Sequence, residues 1–198
     1  MQNISRFMKH MYDTKLIAMR DGNISFKPAN KNFFYITPGS VRKNNLVEED
    51  LVRVAFTSDF ESRKSLHISN NILNLKPSRE INMHAIFHTK KEYYNKDLYI
   101  VHAHPKNLIS YIGLNKNYEL KNVKNVFPEI NINIGKNVSV QEAGSLTLAF
   151  EAYNNLCNHD IIGLRNHGSL SKGENLCKLI EDIETIEYYL DIINKATR

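Results

Sequence analysis

Short runs rich in Ile, Val, Phe and Tyr alternate with stretches of helical periodicity, and this interleaving restricts the possible folds more than any other feature of the chain. NISFK (23–27), NFFYIT (32–37), DLVRVAF (50–56), LYIVHAH (98–104) and IIGLRNH (161–167) read as strands, most of them bounded by Gly, Pro or Asn. REINMHAIFHTKKEY (79–93) and SVQEAGSLTLAFEAYNN (139–155) read as helices, the second opening on Ser139 and Glu142 with capping-box spacing. In the last helix Leu176, Leu179, Ile180, Ile183, Ile186, Leu190 and Ile193 recur at three- and four-residue steps. They form one apolar stripe over about five turns. Glu181, Asp182, Glu184, Glu187 and Asp191 lie on its other face, which reads as solvated. Each element has an apolar side to bury, so the pattern predicts an α/β fold with helices packed on a sheet. Strand order and direction do not follow from it.

The 198 residues contain no repeat, low-complexity tract or Pro/Gly-rich linker, so residues 1–198 are expected to form one domain. An apolar fraction of 42% and a charged fraction of 24% are ordinary for a globular protein. The first twenty residues carry scattered charges and no apolar core, unlike a signal peptide, and no apolar run approaches the roughly 18 residues of a membrane span. A cytoplasmic protein is expected, and Cys157 and Cys177, which lack metal-ligand spacing, suit a reducing compartment. The net charge is +5, but the lysines are scattered and no basic stripe interleaves with aromatics. Nucleic-acid binding is therefore not expected, and steering of an anionic substrate accounts for the charge.

Three motifs carry chemistry. In Val101-His102-Ala103-His104-Pro105 the two histidines stand on one side of a strand, roughly 6–7 Å apart at their backbones, and Pro105 ends that strand. His167, in Arg165-Asn166-His167-Gly168, closes another apolar run. Together they supply the three-histidine set that a catalytic zinc ion favours, with a fourth position left open. In Pro77-Ser78-Arg79-Glu80, Ser78 reads as a helix N-cap, and the free N–H groups of that helix are placed to hold an anion. Glu80, in the first turn, is the candidate proton-transfer group. His84, one turn on, is assigned a supporting role, because a fourth histidine ligand would close the site. The turns Asp21-Gly22-Asn23-Ile24-Ser25 and Thr37-Pro38-Gly39-Ser40 expose N–H groups and short polar side chains of the kind that binds phosphate. His10, His67, His88 and His159 show no usable arrangement.

In this order and spacing, DGNIS, ITPGS, PSRE, VHAHP and RNHG resemble the class II aldolase/adducin family, from about residue 4 to residue 195. Its enzymes include fuculose-phosphate aldolases, ribulose-phosphate epimerase and methylthioribulose-phosphate dehydratase. The resemblance implies a three-layer α/β/α fold around a largely antiparallel sheet, assembled as a homotetramer with active sites between subunits. It implies one zinc ion per subunit (manganese or cobalt as alternatives) on His102, His104 and His167, with Glu80 as resting-state ligand and catalytic base. The implied phosphate-binding positions are Gly22, Asn23, Gly39, Ser40, Ser78 and Arg79. The expected activity is cleavage of a ketose 1-phosphate to dihydroxyacetone phosphate and an aldehyde. The alternatives are epimerisation or dehydration of a pentulose phosphate on the same metal site, and a metal-free interaction module like adducin. Three departures stand out. The usual TPSG or TPTG is TPGS, the second serine of PSSE is Arg79, and the tyrosine of the sugar-phosphate aldolases is missing from the matching stretch 127–132. Glu129, Tyr111, Tyr188 and Tyr189 are the residues available to replace it.

Overall fold

The computed structural model describes residues 3–57, 66–69, 74–114 and 117–197. In chain order the elements are α1 (Ile4–Asp13), β1 (Asn23–Lys27), β2 (Phe33–Ile36), β3 (Val52–Phe56), β4 (Leu66–Ile68), α2 (Ile81–His88) and β5 (Leu98–Ala103). They continue as α3 (Lys106–Leu114), α4 (Val123–Val126), α5 (Leu146–Leu156), β6 (Ile161–Leu164), β7 (Gly168–Gly173) and α6 (Leu176–Ala196). The strands form one sheet in the order β4-β3-β2-β1-β5-β7-β6, and every adjacent pair is antiparallel.

The two-residue period of the strands sorts their side chains into two cores. Ile24 and Phe26 of β1 and Tyr99, Val101 and Ala103 of β5 face α1, α3 and α6. Phe34 and Ile36 of β2, Val52 and Val54 of β3 and Ile100 of β5 face α2 and α5. The sheet is thus covered on both sides, a three-layer α/β/α architecture, and β1 and β5 at its centre are buried along their whole length. The same parity puts His102 on the α2 side, opposite its register partner Asn23.

Several boundaries differ from the sequence pattern for identifiable reasons. The helix read at 79–93 covers only Ile81–His88, and the Thr89 hydroxyl donates to the Ala85 carbonyl where it stops. The helix read at 139–155 begins at Leu146, capped by Ser145. Ser139 cannot start it, because Val138 is tied to the sheet edge through its N–H to Gly163 (2.8 Å) and its carbonyl to the Arg165 N–H (3.1 Å), and Gly144 turns at φ +78°. The strand read at 161–167 ends at Leu164, and residues 165–167 make the turn into β7.

α1, α3, α4, β4 and β7 escaped the sequence pattern, and the acidic face of α6 is not simply solvated. Glu187 accepts the N–H groups of Asn107 (2.9 Å) and Leu108 (3.0 Å), so it caps α3. Glu184 meets His10 of α1 at 2.7 Å, and Asp182 is buried against the Lys178 ammonium. Glu187 and Glu184 thus dock α3 and α1, whereas the Asp182 pair lies within α6.

Candidate metal centre and anion cavity

Gly168 is what lets the three histidines meet. A Cβ there would sit 2.1 Å from the Ala103 carbonyl oxygen, so only glycine allows β7 to start this close to the end of β5. His167, in the preceding turn, is thereby laid against the His102/His104 pair, with ring centroids 4.7 and 5.3 Å away. The sequence pattern placed His167 at a strand end, but it stands in the β6–β7 turn beside Asn166 at φ +56°.

The three candidate ligand nitrogens lie within 4.8 Å of one another, and the Nε2 atoms of His102 and His104 are 2.8 Å apart. The site chemistry fits a divalent ion. His102 Nδ1 lies 2.8 Å from the Ser169 carbonyl oxygen, so it carries the ring proton and Nε2 presents a bare lone pair to the cluster. Nitrogens bound tetrahedrally to zinc at about 2.1 Å are about 3.4 Å apart, so a small adjustment suffices. Burial keeps all three rings neutral. It holds His102 well below the usual histidine range, reinforced by His104 and His167. It takes His167 down to about 4, and it lowers His104 against the opposing pull of Asp21, 3.7 Å from His104 Nδ1.

Glu80 lies beside this cluster, its Oε1 3.9 Å from His167 Nε2. It occupies the N-cap position of α2 itself, whereas Ser78, read as the cap, accepts the Glu80 N–H through its hydroxyl at 3.3 Å. Glu80 Oε2 accepts the Gly144 N–H at 3.1 Å. A Cβ on Gly144 would meet the Arg79 carbonyl at 2.8 Å, so this contact also requires glycine. One carboxylate oxygen is therefore anchored and the other faces the histidines. Burial raises the Glu80 pKa, against the Gly144 bond and the Arg79 charge, and so makes the group a better base.

All ten residues singled out above (Gly22, Asn23, Gly39, Ser40, Ser78, Arg79, Glu80, His102, His104 and His167) line one cavity of about 650 Å³. Their donors are not equally free. The Gly39 N–H already donates to Lys76 (3.0 Å) and the Ser78 N–H to Thr37 (3.2 Å). The Arg79 side chain is exposed and paired with Glu142 at 3.6 Å. Glu129, Tyr111, Tyr188 and Tyr189 are absent from the cavity wall. Tyr111 stacks on Tyr118, and Tyr189 packs on Phe127.

The exchanged TPGS turn also has a geometric consequence. Ser40, where the resembling motif has glycine, keeps a left-handed backbone at φ +60°. That conformation costs a non-glycine residue roughly 1–2 kcal/mol, partly offset in any Gly variant by a more flexible unfolded chain. Ser40→Gly is expected to stabilise the fold by about 0.5–1 kcal/mol, read as a higher urea midpoint.

The sequence pattern set His88 aside and read Ser25 only as part of a turn, yet both belong to a buried relay behind Asn23. Asn23 and Ser25 share one side of β1, and His84 and His88, one turn apart on α2, face them. Ser25 Oγ lies 2.7 Å from His84 Nδ1 and 2.6 Å from His88 Nε2, while His84 Nε2 contacts Asn23 Oδ1. Among the described residues, the buried His88 Nδ1 has no partner. A proton there would be an orphaned donor costing about 1–3 kcal/mol, so Nδ1 is bare and Nε2–H donates to Ser25. The Ser25 hydroxyl then donates to His84 Nδ1, and His84 Nε2–H donates to Asn23 Oδ1. This order of donors turns the Asn23 Nδ2 amide away from the relay. His84 reaches the cavity only through Asn23, which lines it, and two like-facing residues on a strand matched to two histidines one helical turn apart was the available signal.

The relay makes the metal-free protein acid-labile. Burial holds the His84 pKa at about 3 and His88 well below the usual 6.5, so the unfolded chain takes up protons that the folded one refuses. Stability is then present above pH 6.5 and lost as pH falls below it, by about 1.4 kcal/mol per pH unit for each such histidine. Urea midpoints at pH 7 and pH 5 measure this, and equal midpoints would mean that the rings titrate freely.

Residues 2–193 match the family described as the class II aldolase and adducin N-terminal domain. An L-fuculose phosphate aldolase of Methanococcus maripaludis strain C5 is 35% identical over 190 residues, covering 93% of this chain and 92% of that protein. The protein of the same name from Methanocaldococcus jannaschii is 28% identical over 184 residues, covering 92% and 88%. Among solved structures, an L-fuculose 1-phosphate aldolase superposes with a TM-score of 0.69 at 22% identity, covering 98% of this chain and 84% of its own. A sugar-phosphate aldolase from Thermotoga maritima gives 0.74 at 19%, covering 98% and 93%. At these identities the structures speak to the fold, and the sequence matches carry the assignment: the chain belongs to the class II aldolase and adducin family.

Proposed function

We propose that the protein is a divalent-metal-dependent aldolase that cleaves a ketose 1-phosphate to dihydroxyacetone phosphate and an aldehyde. The observation that carries the proposal is the meeting of three neutral imidazoles and one buried carboxylate in a single cavity. His102, His104 and His167 would hold the ion, zinc by preference and manganese or cobalt as alternatives, with Glu80 as a further ligand in the resting site. When bound, the ion supplies Lewis acidity toward the oxygens of the substrate next to the bond that breaks. Glu80 Oε1, free while Gly144 holds Oε2, takes and returns the proton at the substrate hydroxyl and carbon. Asn23, presenting its amide from the relay, and the turns at Gly22, Gly39–Ser40 and Ser78–Arg79 line the wall where the phosphate is anchored, so that its binding positions the reacting carbons. The family resemblance extends the proposal to a homotetramer, which light scattering reads directly. Among the described residues no helix is long and apolar enough to cross a membrane.

The test is to incubate the metal-loaded protein with ketose 1-phosphates, fuculose 1-phosphate first, and assay dihydroxyacetone phosphate. No release from any of them would overturn the proposal. One observation favours a second reading. Residues 127–132 contain no tyrosine, and Glu129, Tyr111, Tyr188 and Tyr189 stand outside the cavity wall of their own chain. The missing tyrosine is the donor of the sugar-phosphate aldolases in particular, so its absence favours epimerisation or dehydration of a pentulose phosphate on the same residues as the second reading. NMR analysis of the products separates the two, because only the aldolase releases two carbon fragments.

A further inference from the structure

Lys43 belongs to no motif, yet it is 1% exposed and lines the same cavity as Asp21, Gly39, Ser40 and Ser78. Its ammonium donates one hydrogen bond, to the Pro38 carbonyl oxygen. An ammonium has three donors, so two have no protein partner among the described residues. Nor does any carboxylate there come within 4.0 Å of it, Asp21 being engaged with His104. A buried cation with one neutral partner is expensive, and burial brings the Lys43 pKa down to about 8, against the pull of Asp21.

Several other anion donors of the wall are spent or exposed, the side chains of Arg20 and Lys76 among the exposed ones. Gly39 has no hydroxyl, its N–H and that of Ser78 are spent within the protein, and Arg79 is exposed and paired with Glu142. A dianion entering the cavity would meet two unused N–H donors and a positive charge at Lys43, in surroundings where charge-assisted hydrogen bonds are strong. Resting on the sugar-phosphate reading above, we propose that Lys43 is the buried cation that holds the substrate's phosphate, replacing the hydroxyl lost at Gly39. The neighbouring backbone supports such a role, because the Lys43 N–H is tied to the Met19 carbonyl at 3.0 Å and fixes the base of the side chain.

Inorganic phosphate is the probe, titrated by calorimetry into the metal-loaded protein and its Lys43→Met variant, which keeps the aliphatic stem. The expected result is tenfold or weaker binding to the variant with metal content unchanged. Above pH 8, where phosphate is already dianionic, wild-type affinity should fall as Lys43 loses its proton, and the variant should show no such fall. Equal affinities would overturn the role of Lys43 while leaving the sugar-phosphate reading standing. Absence of phosphate binding to the wild type would overturn both. If Lys43→Met does not fold, the wild type still decides. NMR of ¹³C-labelled lysine should show the Lys43 titration midpoint moving up by a pH unit or more when phosphate saturates the protein, and a midpoint that stays in place would refute the proposal.

Discussion

Replacing His102 with alanine is expected to abolish high-affinity binding of a divalent ion while the fold survives. His102 supplies the nitrogen whose lone pair is set by the Ser169 carbonyl, and it lies between the other two imidazoles. Without it, His104 and His167 face each other with ring centroids 5.3 Å apart, and two ligands do not make the three-histidine set of a catalytic site. The structural cost is smaller, about 1–3 kcal/mol for the lost hydrogen bond and the space left at a buried position. The surrounding sheet is held by ladders on both sides of β5, which the substitution leaves alone. Metal analysis of purified, reconstituted protein alongside a urea midpoint distinguishes the two effects. An alanine variant that still carries one ion per chain at wild-type affinity would sink the assignment of this centre.

Glu80→Gln should lower turnover by about 10²- to 10⁴-fold, the usual worth of a positioned general base. Glutamine has the same shape and its carbonyl oxygen can still accept the Gly144 N–H, so the geometry at the start of α2 is retained. What is lost is the oxygen able to take a proton. Stability should move the other way. Burial raises the folded-state pKa of Glu80, so at neutral pH the ionised carboxylate costs the fold free energy, and a neutral amide removes that cost. A variant with lost turnover and a higher urea midpoint is the pattern of a residue kept for chemistry at the expense of stability. Turnover within threefold of wild type would mean that another group moves the proton.

Both predictions concern residues legible in the chain, and it is instructive which features were legible. The alternation of β-type runs with helices, and the stripe from Leu176 to Ile193, depend on repeat distances inside single elements, so they can be read from neighbours in sequence. The same holds for His102 and His104, which a strand must place on one side, and for the glycine of RNHG. The errors fall where contacts from elsewhere set a boundary. Ser139 and Glu142 have capping spacing, but β6 claims Val138 and delays the helix to Leu146. β7, with the unremarkable sequence GSLSKG, is a strand because β5 and β6 flank it and Gly168 lets it close in. Glu187 has the look of a surface acid until the first turn of α3 is set against it.

Residue types and short-range periodicity therefore determined the fold class, the candidate ligands and the candidate base. The tertiary structure alone decided that His167 reaches the other two histidines, that Gly144 holds one oxygen of Glu80, and that Lys43 stands in the same cavity with two donors unused. It also decided that His84 and His88, 59 and 63 residues from Ser25, align Asn23. Periodicity is a property of the local backbone, whereas these contacts exist because an antiparallel sheet brings distant segments within a few ångströms, and their burial is what changes the chemistry of the groups that meet there.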